Sequence, residues 1–119
     1  MKYMLLIYDE PAAYEGEAGR KLLSEMIAGH MRLGEDMRNA NVVYSGHQLQ
    51  PASVATTVRA AGGARTLHDG PFAETKEQLG GYYLIDVPDL DAAIAWARRI
   101  PMRGSGGVEV RPIVERGTG

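Results

Sequence analysis

The chain has no cysteine. Disulfides, thiolate metal sites and cysteine nucleophiles are therefore excluded. It has no apolar run near the ~18 residues of a membrane-spanning helix. No charge of one sign dominates: 13 Lys and Arg stand against 15 Asp and Glu, for a net charge of −2, and the two signs are interspersed. The basic stripe that a phosphate backbone requires is missing, so nucleic acid is not an expected partner. The histidines, His30, His47 and His68, are too scattered for metal-ligand spacing, and no metal or other cofactor is expected. Neither Gly62-Gly63 nor Gly104–Gly107 joins a strand to a helix beside a basic residue, as a phosphate loop must. No serine has the surroundings of a nucleophile elbow. Met1-Lys2 leads straight into a strand-like segment without a small-residue cleavage site, so a cytoplasmic protein is expected.

The 119 residues suit one domain spanning 1–119, and their 45% apolar and 24% charged composition is ordinary for a globular protein. Residues 2–8 are almost continuously apolar, which predicts a strand covered on both faces. One layer of helices leaves one sheet face wet, so a second copy of the chain is the simplest cover. Asp9-Glu10-Pro11 ends the strand. From about Arg20 to Ala40, Leu22, Leu23, Met26, Ile27, Leu33 and Met37 recur at helical spacing, and Asn41 suits a left-handed terminator. Val42-Val43-Tyr44 opens a strand ending near Gly46-His47. A hairpin follows, turning at Gly62-Gly63 and returning over Arg65–His68. Asp69-Gly70-Pro71 forces a bend, since glycine tolerates positive φ and proline fixes its own. One helical turn is expected over Glu74–Gln78, then a strand over Tyr82–Val87. Asp89 is a good N-cap for a helix carrying Leu90, Ala93, Ile94, Ala97 and Ile100, stopped by Pro101. A glycine-rich loop, Gly104–Gly107, leads to a last strand over Val108–Val114, and the polar tail Glu115–Gly119 is expected to fray.

The run Asp69-Gly70-Pro71-Phe72-Ala73-Glu74-Thr75-Lys76-Glu77, followed by Gly80-Gly81-Tyr82-Tyr83-Leu84, resembles the signature of the DGPF branch of the YCII-related proteins. The opening Lys2–Tyr8 and the closing Val108–Pro112 fit the same pattern. The resemblance implies a ferredoxin-like α+β fold, dimerising into an α+β barrel by packing two sheets together, here with an inserted β-hairpin. It implies no established activity. It also implies, as another class of function, a non-catalytic module associated with an extracytoplasmic-function sigma factor.

His30 falls on the same helix face as Met26, Leu33 and Met37. It is either a satisfied core histidine or a group held in a pocket between helix and sheet. In the YCII proteins proper, the resemblance implies, a histidine here pairs with an aspartate before the proline that ends the second helix; this chain has Ile100 there. His47, at a strand end, suits a cleft. His68 adjoins Asp69, but neighbours on a strand point to opposite faces. Glu109 and Arg111 share a face of the last strand and point away from Val108 and Val110. They are expected either in an ion-pair lattice with Glu74, Lys76 and Glu77 or in a polar pocket for a small, anionic or amphipathic metabolite. The expected pocket is lined by His47, Asp69, Tyr82, Lys76, Glu109 and Arg111 with His30 behind it. Histidine would act there as general base.

Overall fold

β1 (Lys2–Asp9) organises the sheet. Its alternate residues Tyr3, Leu5 and Ile7 are buried, whereas Met4, Leu6 and Tyr8 are half-buried. Within one chain the strand is thus covered fully on one face only. The computed structural model describes residues 1–102 and 105–116; the expected Gly104–Gly107 loop and Glu115–Gly119 tail lie partly outside the described residues.

A 3₁₀ turn over Pro11–Tyr14 follows β1 and leads into α1 (Gly16–Asn39). The helix starts four residues before the expected Arg20, with Glu17 in the first turn, where a carboxylate suits the positive helix end. Asn41 adopts φ 60, as its position past the helix end predicts. The amides of Val42 and Asn41 donate to the carbonyls of Met37 and Arg38 at 2.9 and 3.0 Å. That pairing closes the helix in a Schellman motif, with Val42 packed near Met37 in the core.

β2 (Val43–Gln48), β5 (Gln78–Asp86) and β6 (Gly107–Pro112) complete a four-stranded sheet of order β2-β5-β1-β6, in which every pair is antiparallel. α2 (Leu90–Ala97) connects β5 to β6, and Asp89 caps it by accepting the amide of Ala92 at 2.9 Å. Each helix connection therefore skips one strand, the split β-α-β arrangement. Leu33 and Met37 of α1 and Ala93 and Ala97 of α2 join Tyr3, Leu5 and Ile85 in one core, so both helices cover the same sheet face. This α+β arrangement is compatible with a ferredoxin-like fold.

Between β2 and β5 the strands β3 (Thr56–Ala61) and β4 (Ala64–Asp69) pair only with each other. Gly62 and Gly63 both take positive φ (55 and 84), which a two-residue hairpin turn with the right-handed twist of its strands requires. Gly70, at φ 115, makes the bend that Asp-Gly-Pro predicts. The helical turn expected over Glu74–Gln78 does not form. Thr75 Oγ1 bonds the carbonyl of Glu77, a local bond that competes with helix, and Gln78 already pairs with Asp9. β5 consequently begins four residues earlier than the expected Tyr82.

Candidate functional site

The sheet register sorts the polar residues between two faces. Tyr83 stands opposite Leu5 and Gly46, on the helix-covered face, whereas Tyr82 stands opposite Leu6 and His47, on the open face. On the covered side the C-terminal half of α1 packs on the sheet and its N-terminal half does not: the buried positions near the sheet are Leu33, Gly34 and Met37, while Ile27 stays 46% exposed. The overhang leaves a cleft of about 620 Å³ between α1 and the ends of β1, β2 and β5. That is a ligand-sized volume. Met26, Ile27 and Met31 form its apolar wall, and His30 points into it from the same helix.

Across the cleft, His30 Nδ1 lies 2.7 Å from the Tyr83 hydroxyl, and the two rings stack at 5.8 Å between centroids. Gly46 makes this possible. A Cβ built there would lie 2.6 Å from the Tyr82 carbonyl oxygen and 2.7 Å from Tyr83 Cδ1, so only glycine lets the ring lie flat over β2. Burial pushes the His30 pKa down, and the nearby Asp9 carboxylate pulls it the other way with less effect. Burial, and secondly Tyr44, push the Tyr83 hydroxyl up. At neutral pH the pair is thus an uncharged imidazole bonded to an uncharged phenol. When Nδ1 donates to the phenol oxygen, Nε2 is left with a lone pair able to take a proton. Asp9 and Tyr14 also line the cleft, with the Tyr14 hydroxyl donating to Asp9 Oδ2 at 2.8 Å.

The sequence pattern of the YCII-related domain matches residues 1–116. The chain belongs to the YCII-related family. An uncharacterized protein of Rhizobium meliloti (strain 1021) is 35% identical over 118 residues, spanning 95% of this chain and 92% of that protein.

In this YCII-related chain the residues singled out from the sequence fall into separate groups. His30 lies on the covered side. His47 and Tyr82 bond each other at 3.0 Å on the open face, at the rim of the same cleft. His47, Tyr82, Leu6 and Glu109 stand in one cross-strand row, which at ~4.8 Å per strand separates His47 from Glu109 by ~14 Å. Glu109 pairs with Arg111 rather than with the DGPF segment. Lys76 pairs with Glu10 at 3.5 Å. The backbone amide of Ser105, and then Lys76, hold the Glu10 carboxyl below its usual range. Glu77 meets Glu109 and Tyr8 in a shallower depression of about 350 Å³ at the other sheet edge. Asp69 ends β4 opposite Thr56 and is exposed. Phe72 is 70% exposed under the Arg59 guanidinium, 4.8 Å from the ring centre, and Glu74 is exposed. Ile100, where the family resemblance implies an aspartate, is buried in the core. Tyr83, Asp9 and Tyr14 were not among the sequence candidates. Strand parity carries the signal for Tyr83, which must share a face with the core residue Ile85. Among the described residues no helix is long and apolar enough to cross a membrane.

Proposed function

We propose that this YCII-related protein, as a member of the DGPF branch, binds a small, largely apolar metabolite in the cleft between α1 and the sheet and moves a proton to or from it through His30. The observation that carries this reading is the His30–Tyr83 pair, a neutral base set in a ligand-sized recess with one apolar wall. Proton transfer to Nε2 would leave the charge on the ligand and a cationic imidazole, with the Tyr83 oxygen still accepting from Nδ1. The chain would work as a homodimer through its open sheet face, where Met4, Leu6 and Leu84 are half-buried and flanked by His47, Tyr82, Glu109 and Arg111. A second polar recess between the two sheets, suited to an anionic group, is favoured by the single row that holds His47, Tyr82 and Glu109.

The test is a saturation-transfer NMR screen of ring-sized phenols, ketones and organic acids against the native chain and Met31→Trp, which fills the cleft from its exposed rim. Hits that perturb His30 and are lost in Met31→Trp support the reading. A screen whose hits bind both proteins equally, or that leaves His30 undisturbed, contradicts it.

A further inference from the structure

The cleft carries opposite charges at its two ends. At one end the β1–β5 register slips, leaving Gly80 as an extra residue, and Asp9 supplies the one carboxylate among the described residues that line the cleft. At the other end Arg38 supplies the one Lys or Arg side chain among them, and its Nη1 donates to the Tyr44 hydroxyl at 2.6 Å. Asp9 stands opposite Gln78 and Tyr44 opposite Ile85, which at ~3.4 Å per residue sets the two ends roughly 20 Å apart along β5. Gly34 seats the Arg38–Tyr44 pair. A Cβ there would lie 2.6 Å from the Tyr44 hydroxyl and 3.7 Å from Arg38 Nη1, so both groups rest on the bare backbone of α1. The guanidinium thus turns back along the helix toward His30, away from the carbonyls at the helix end. His30, Gly34 and Arg38 are spaced four apart and share one face of α1, with ~5–6 Å between successive Cβ positions. The Tyr44 ring in turn lies 6.3 Å from that of Tyr83, the partner of His30.

We infer that Arg38 and Tyr44 form the anion-holding end of the cleft, and that its ligand is a small carboxylate with an apolar body. Tyr44 accepts from Arg38 and keeps its own proton to donate, while the remaining guanidinium N–H groups are donors without a carboxylate. Among the described residues no carboxylate lies within ion-pair distance of Arg38; Asp36, close to it in sequence, is held by Arg99. A guanidinium beside a hydroxyl offers the convergent donors that take both oxygens of a carboxylate. Met26, Ile27 and Met31 cover the apolar body, and Asp9 at the far end repels the carboxylate and so sets which way round the ligand lies. A carboxylate held over Gly34 sits one helical turn, ~5.4 Å, from His30, so the ligand atoms next to it reach the imidazole.

This inference rests on the cleft being the ligand site proposed above. Benzoate and benzamide, the same ring with and without the charge, test it by NMR titration of the native chain, Arg38→Met, Arg38→Lys and Tyr44→Phe. Benzoate should bind the native chain about tenfold or more tighter than benzamide, since hydrogen bonds to a charged group are the strong ones. Arg38→Met should abolish that preference and leave benzamide binding unchanged. Arg38→Lys should keep part of it, because an ammonium retains the charge without the planar fork. Tyr44→Phe should weaken benzoate by less than Arg38→Met does. Arg38 is exposed, so its replacement leaves the core intact. An Arg38 that merely steadies the helix end would alter the melting temperature and leave the preference in place. Benzoate bound no tighter than benzamide, or a preference that survives Arg38→Met, overturns the inference. Neutral hits that perturb His30 while benzoate does not bind also overturn it, and leave the proposed function standing. Benzoate held through Arg38 without disturbing His30 upholds it and removes the proton-transfer reading.

Discussion

Replacing Gly46 with alanine tests the contact that seats Tyr83. The added carbon would lie 2.6 Å from a backbone oxygen and 2.7 Å from the Tyr83 ring. The backbone is held by the β2–β5 ladder, so the ring must tilt away from β2 and from His30. Overpacking of this kind costs about 1–3 kcal/mol, and a lost side-chain hydrogen bond adds about 1 kcal/mol. Alanine regains about 0.5–1 kcal/mol over glycine inside a strand. The net cost is then roughly 1–3 kcal/mol. With about 2.1 cal/mol/K of unfolding entropy per residue, 119 residues give about 0.25 kcal/mol per degree. Thermal unfolding should therefore move down by about 4–12 °C, and the His30 ring resonances should move with it. A variant that melts within a degree or two of the native chain with unshifted His30 signals would refute the packing argument.

The pH dependence of stability follows from His30. Its folded pKa lies below the unfolded value near 6.5, so between the two the unfolded chain binds more protons. Its contribution to stability is full above about pH 6.5 and is lost as pH falls through the folded pKa. Denaturant melts should show this slope, and His30→Phe should remove it. Tyr83→Phe keeps the ring and deletes the partner of Nδ1; it should cost about 1 kcal/mol, read as a lower urea midpoint with unchanged slope. Asn41→Gly should stabilise by up to about 1 kcal/mol and Asn41→Val destabilise by more, because φ 60 suits glycine and strains a branched residue. Met37→Ala should cost about 2–5 kcal/mol, since the side chain is fully buried, and calorimetry gives the value directly.

The sheet was legible because its strands are short apolar runs bounded by Asp-Glu-Pro, Gly and Pro-Asp, and the second helix because Asp89 and Pro101 punctuate it. The start of α1 was not, because Gly16–Arg20 carries no apolar stripe and its helicity depends on the turn packed beneath it. Glu74–Gln78 has helix-forming residues, but the pairing of Gln78 with Asp9 and the bond within Thr75–Glu77 outweigh local propensity. His30 could be placed on the sheet-facing side of its helix from periodicity alone. Its partner could not, because choosing between Tyr82 and Tyr83 requires the strand's parity. A run such as Tyr82–Val87, apolar on both sides, hides that parity. Asp9 has the sequence context of a strand terminator. Only the extra residue at Gly80 and the returning turn with Tyr14 show that its carboxylate faces the cleft.

The most direct measurement is the ring ¹⁵N titration of His30 in the native chain. The midpoint should lie below the ordinary value near 6.5 and, at neutral pH, the imidazole should be uncharged and bonded through Nδ1. A midpoint at or above that value, with both ring nitrogens exchanging as in water, would put His30 in solvent and leave the cleft without its base.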